Sequence, residues 1–217
     1  MGTKFTMSDK EGISLLSLLL SVVVISLSGV MMPGLLFGVT LVKSLKSPWA
    51  GTGIALGHAV IEAPLMLAIY FGLARFFAYT ILQIVLNIAG GAMVVWFGVS
   101  MFRARVEMVQ GERDLPYNAV LTGIITSALN PFFWLWWATV GSMLVMRFYS
   151  FGNIGLVSFM VVHWLCDLVW LSFVSNLVYR THSLWGVKLQ EWLFIGGSLL
   201  LAGFGIWYAI SGFQMLF

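Results

Sequence analysis

The chain has 217 residues, of which 60% are hydrophobic and only 9% charged, with a formal net charge of +3. A water-soluble domain carries about 25% charged residues, so most of the outer surface must face lipid, and a charge of this size gives no basis for nucleic-acid binding. Cys166 is the only cysteine, which excludes an intrachain disulfide and a carrier of thiol electrons that needs two pairing thiols.

Since a helical span needs about 20 residues, this length accommodates around six helices with short loops. Six apolar segments can be drawn, at 13–42, 51–74, 78–102, 119–146, 153–178 and 192–216. They are expected to be helices, because backbone groups in lipid must be satisfied within their own segment. The first follows a tail at 1–12 containing Lys4 and Lys10, which superficially fits a signal peptide. Asp9 and Glu11 precede it directly, however, and the apolar run continues past Met31 and Met32 to Val42, so it reads as a retained span. At Met32-Pro33-Gly34 it should kink or break. The one strongly polar loop, 103–118, separates the halves 13–102 and 119–217.

Counting Lys and Arg in the loops orients the chain. Lys43, Lys46, Arg103, Arg105, Arg113, Arg180 and Lys188 fall on one side, seven in all, against four on the other: Lys4, Lys10, Arg75 and Arg147. The expectation is a cell-membrane protein with both termini outside and the 103–118 loop in the cytoplasm.

The two halves repeat. Pro33 matches Pro131 at an offset of 98, and His58 and Glu62 match His163 and Asp167 at 105. Gly90-Gly91 matches Gly196-Gly197 at 106, and Phe97-Gly98 matches Phe204-Gly205 at 107. Three spans per half is an odd number, so the second half enters the membrane from the opposite side. The fold class expected is therefore an all-α integral membrane protein, with six helices in two inverted-topology repeats, as in many secondary transporters.

Glu62 and Asp167 are the only acids inside the segments, and each lies four residues after a histidine. In a helix this spacing puts His58 and Glu62, and likewise His163 and Asp167, on one face. A charge at the centre of a span costs roughly 2.5–3.5 kcal/mol on insertion scales, so each needs a partner or a watery cavity. Burial favours the neutral form of these groups and pairing the charged one, a balance that suits proton exchange. Two pairs that only hold helices together would show the same spacing.

Pro33 and Pro131 each leave a backbone carbonyl four residues earlier, on Gly29 and Ser127, without its helical donor. Helix breaks near the midplane are where transporters bind substrates, so Pro33, Gly34, Pro131 and Asn130 are candidates for shaping a cavity. Pro64 adds a smaller disturbance two residues after Glu62. The aromatic run Phe132, Phe133, Trp134, Trp136 and Trp137 offers faces for a cationic group, although packing and interfacial anchoring explain aromatics more often. Cys166 reads as a small packing residue, and the paired glycines as sites of close helix approach.

SGVMMPGLLFGVTLVKSLKSPWAG, ALGHAVIEAPLMLAIYFG and TSALNPFFWLWWATVG resemble the lysine-exporter (LysE) family of amino-acid translocators, especially its archaeal-type members, over nearly the whole chain. The resemblance implies six helices and amino-acid export coupled to an ion gradient. In the family the first-span motif is usually Pro-Gly-Pro; here Leu35 replaces the second proline, which implies a softer break.

The leading expectation is a secondary exporter of small amino acids, basic ones included, working by alternating access and coupled to protons. Glu62 and Asp167 would bind a cationic group or protons, His58 and His163 would tune them, and Asn130 would contact the substrate. Its partners are the substrate and the bilayer; self-association stays open, and neither enzyme activity nor a cofactor is expected. The rival reading is efflux of a divalent metal held by the two histidines and two acids. A chain this apolar with one cysteine and no His-Glu-x-x-His offers little to an intramembrane enzyme.

Overall fold

The computed structural model describes residues 14–32, 34–77, 79–109, 117–184 and 187–216. The tail at 1–12, Pro33 and residues 110–116 of the 103–118 loop lie outside the described residues. Among those described, the regular structure is helical.

The first apolar segment is split. Helix α1 (Leu15–Val30) is capped by the Ser14 hydroxyl, which accepts from Ser17 N–H at 3.1 Å. Helix α2 (Leu35–Ser44) follows at an angle of 71°. Leu35 thus begins a new helix, and the bend is sharp even though the second proline is missing. Helix α3 (Ala50–Ala68) runs unbroken through Pro64, so the expected disturbance there does not interrupt it. It ends in a π turn, Ile69–Leu73, where Gly72 at φ +118° takes a conformation that a side chain resists. After the short α4 (Ala74–Phe77) comes α5 (Thr80–Val109). The helix therefore continues seven residues into the stretch read as loop.

Asn118 caps α6 (Ala119–Ala128), accepting from Leu121 N–H at 2.8 Å. The helix stops at Leu129 and restarts as α7 (Pro131–Trp136), where a proline at the first position loses no helical bond. A π turn, Trp137–Gly141, leads into α8 (Ser142–Phe148). The chain then reverses at Gly152, φ +59°, into α9 (Gly152–Thr181). A straight helix would hold Trp137 and Phe159 about 33 Å apart; their rings lie 6.4 Å apart. Finally α10 (Val187–Gln214) begins five residues earlier than the hydropathy suggested.

Among the described residues, four helices are long and apolar enough to cross a membrane, or five if the bent α1–α2 pair counts as one span. Six uniform spans are not what length and composition give, because the first and fourth segments are broken and the stretch from Phe132 to Leu184 is one apolar run folded back on itself. Large apolar side chains such as Phe71, Ile81, Ile154 and Trp192 stand exposed around the outside, as a lipid-facing surface requires.

Side-chain contacts define two ends of the bundle. At one, Lys43 Nζ donates to the Tyr117 carbonyl at 2.6 Å, and Ser175 Oγ donates to the Pro48 carbonyl at 2.9 Å. At the other, the Tyr70 and Tyr149 rings lie 5.1 Å apart, above a core of Leu18, Val22, Ile69, Trp137, Phe148 and Phe159.

Glycines set the closest approaches. A Cβ on Gly57 of α3 would lie 2.0 Å from the Val120 carbonyl oxygen of α6, and one on Gly123 would lie 2.2 Å from that of Ile54. Helices α5 and α10 touch through Gly91 and Gly205 in the same way. Gly196, expected to mediate close packing, has no heavy atom within 4 Å of its would-be Cβ; its face of α10 is turned away from the neighbouring helix.

Candidate functional site

Four of the sequence-predicted residues meet at the centre. His58 and Glu62 lie on the buried face of α3, and His163 and Asp167 on that of α9. Glu62 is the hub. Its Oε1 is 3.0 Å from His58 Nε2 and 3.1 Å from His163 Nε2. Asp167 stands further back, with Oδ2 3.9 Å from the Nε2 of each histidine. Glu62 is 1% exposed and Asp167 4%, so solvent contributes almost nothing to satisfying them. Glu62 Oε2 and Asp167 Oδ2 are buried with no hydrogen-bond partner, which is costly for a carboxylate unless a cation or a donor comes in.

Two serines that the sequence reading passed over hold the far side of each imidazole. Ser127 Oγ, on α6, lies 2.7 Å from His58 Nδ1, and Ser26 Oγ, on α1, lies 2.6 Å from His163 Nδ1. Ser127 also donates to the Gly123 carbonyl at 2.6 Å. Its one hydrogen is thereby used, so towards His58 it must be the acceptor, and His58 Nδ1 carries a hydrogen. The pattern exchanges between halves: each histidine is held by a serine from the first segment of the other.

The aromatic run after Pro131 packs against the histidines. His163 lies between the rings of Trp136 and Phe159, stacked at centroid distances of 5.2 and 5.7 Å, with Trp137 edge-on at 5.3 Å. His58 has only an edge contact, to Phe133 at 5.3 Å. Trp134 turns away and donates to the Ala128 carbonyl at 2.9 Å.

The two helix breaks resolve alike. The Gly29 carbonyl accepts from Met32 N–H at 3.2 Å, and the Ser127 carbonyl from Asn130 N–H at 3.2 Å. Each carbonyl released by a proline four residues on is thus taken up by the residue before that proline. Asn130 caps α7, accepting from Phe132 N–H at 3.1 Å. Gly34, at the start of α2, has no side chain to offer as a cap.

Between the breaks lies a cavity of ≈ 80 Å³, lined by Gly34, Asn130, His58, Glu62, His163 and Asp167, together with Ser26, Phe133, Trp136 and other side chains. That volume admits several waters. Pro64 is not among the residues lining it, because α3 turns that position away. Cys166 is buried and free, its thiol directed at the Val162 carbonyl one turn earlier, a packing role.

Neither a curated protein nor a solved structure matches the sequence. The LysE type translocator family does, over residues 27–212. That stretch takes in both helix breaks, both His-x-x-x-acid turns and nearly all of the α5–α10 pair. The chain is a membrane protein of the LysE type translocator family.

Proposed function

We propose that this protein is a secondary exporter of amino acids, basic ones among them, that works by alternating access and is coupled to protons. The observation that carries this reading is the Glu62 carboxylate, buried and held between one histidine from each half, at the wall of a cavity between two broken helices. A cationic ammonium offers three donors and a full charge, and it matches the partnerless oxygens of Glu62 and Asp167. Asn130 and the start of α2 supply polar backbone and amide groups at the other wall. The His–carboxylate contacts provide a place for a proton when the ammonium leaves.

The reading includes six crossings arranged as two inverted repeats. The exchanged Ser–His pairs, the matching helix breaks and the two clusters of end contacts support it. On this arrangement Lys46 and Arg75 lie on opposite sides, with Lys46 in the cytoplasm. In a Cys166→Ala background, Lys46→Cys and Arg75→Cys should label with a membrane-impermeant thiol reagent from opposite faces of the membrane. Labelling of both from one face removes the inverted arrangement.

The function itself is tested in proteoliposomes loaded with labelled amino acids. An acid-outside gradient should speed efflux of a cationic amino acid several-fold, and a protonophore should abolish that gain. Efflux indifferent to the gradient refutes proton coupling; no efflux across a full amino-acid panel refutes the export reading.

A further inference from the structure

We propose that His58, Glu62 and Asp167 form a binding site for a divalent transition-metal ion of Zn²⁺ type. Ser127 and His163 would orient its ligands. The inference rests on the cluster's geometry, and the ion would compete with an exported ammonium group for the same carboxylate oxygens.

One imidazole nitrogen and two carboxylate oxygens of these residues lie within 4.8 Å of one another. Metal–ligand bonds of about 2.0–2.1 Å in a tetrahedral site place neighbouring donors about 3.4 Å apart. The distances from His58 Nε2, 3.0 Å to Glu62 and 3.9 Å to Asp167, bracket that value. Small side-chain adjustments would bring all three donors onto one ion. The fourth position then faces the cavity, where water fits.

The second observation is the state of the donors. Because Ser127 Oγ spends its hydrogen on the Gly123 carbonyl, His58 donates from Nδ1. In the neutral ring Nε2 therefore carries a lone pair aimed at Glu62 Oε1. Two lone pairs 3.0 Å apart repel unless a proton or a metal ion lies between them, so the contact accommodates either one. Glu62 Oε2 and Asp167 Oδ2, buried without partners, make the same demand. A ligating histidine usually has its other nitrogen held by a hydrogen bond, which fixes the tautomer and the ring; Ser127 does this for His58. His163 donates to the Glu62 oxygen at 3.1 Å and fixes the carboxylate in turn. The mixed nitrogen and oxygen set favours zinc, cobalt or manganese over magnesium and calcium, which prefer oxygen alone.

The test uses tag-free protein in detergent, titrated calorimetrically with Zn²⁺ and with Mg²⁺, and spectroscopically with Co²⁺. The expected result is one Zn²⁺ per chain, no comparable Mg²⁺ binding, and a nitrogen/oxygen Co²⁺ spectrum that Zn²⁺ abolishes stoichiometrically. Glu62→Gln and His58→Gln should each weaken Zn²⁺ binding at least about tenfold, and Ser127→Ala about 10–100-fold as an outer-shell change. His182→Ala, remote from the cluster, should leave it unchanged. Absence of Zn²⁺ binding, binding that survives both Glu62→Gln and Asp167→Asn, or equal affinity for Mg²⁺ overturns the proposal. The Co²⁺ spectrum of the unaltered chain remains decisive even if a variant misfolds. Amino-acid efflux without metal binding would refute this site alone, and metal binding without efflux the export reading alone.

Discussion

Glu62→Gln is expected to reduce substrate flux by about two orders of magnitude or more while leaving the protein folded. Glutamine has the shape of glutamate, so packing around the site is kept. What it removes is the negative charge on which both histidine Nε2 atoms converge. A hundredfold loss of flux corresponds to about 2.7 kcal/mol, taken from the step in which a cation meets that charge. Asp167→Asn should lose distinctly less, about tenfold. Its Oδ2 is 3.9 Å from each histidine nitrogen, beyond hydrogen-bonding distance. The comparison is made on reconstituted protein at matched protein-to-lipid ratio, with the thermal midpoint as the folding control. Equal losses at the two positions would mean that the hub assignment is mistaken, and unimpaired flux in Glu62→Gln would remove the cluster from transport altogether.

The second large effect falls on the scaffold. Gly57→Ala adds one methyl group at a point where its carbon would sit 2.0 Å from the Val120 carbonyl oxygen. Backbone on both sides leaves no flexible side chain to yield, so α3 and α6 must separate. Overpacking of this kind costs about 1–3 kcal/mol, a fall in thermal midpoint of roughly 2–12 °C. The separation also reaches the site, because the next residue, His58, is bonded to Ser127 across that interface. Flux should therefore fall together with stability. Gly196→Ala is the control: nothing lies within 4 Å of the added carbon, and alanine favours helix by about 0.5–1 kcal/mol, so the midpoint should hold or rise. A Gly57→Ala protein as stable as the parent would show that the helices are not held at this distance.

What could be read from the sequence follows from what lipid penalises. Acids and histidines in apolar segments stand out because burying them is expensive, and the four that stood out are the four that meet. Proline marked the breaks for a similar reason, since it removes a donor that lipid cannot replace. Ser26 and Ser127 could not be singled out. Ser21 and Ser28 lie in equally apolar surroundings and bond only to their own helix; the difference lies in which face meets a histidine 69 or 137 residues away. The unequal roles of Glu62 and Asp167 were hidden too. Both follow a histidine by four residues, and only the rotation of the helices and the longer glutamate side chain decide which carboxylate reaches both rings. Glycine pairs misled at Gly196 because spacing shows where glycine occurs and not what faces it. Helix α5 overran its expected end because polarity in 103–109 marks departure from lipid, which a helix can survive.

The hydrogen bonds of the central cluster have one more property in common. Ser26 to His163, Ser127 to His58, and His163 to Glu62 each tie a residue of the first half to a residue of the second. Of the histidine hydrogen bonds described in the cluster, that between His58 and Glu62 alone stays within one helix. Any motion that parts the halves must break all three crossing bonds at once, at about 0.5–1.5 kcal/mol net for each. On the proposed function the cluster would be a latch as well as a seat. An empty carrier would keep the latch fastened, and a cation drawing Glu62 away from His163 would release one of the three crossing bonds. An exporter latched in this way would resist cycling empty, and so would not let its driving ion leak.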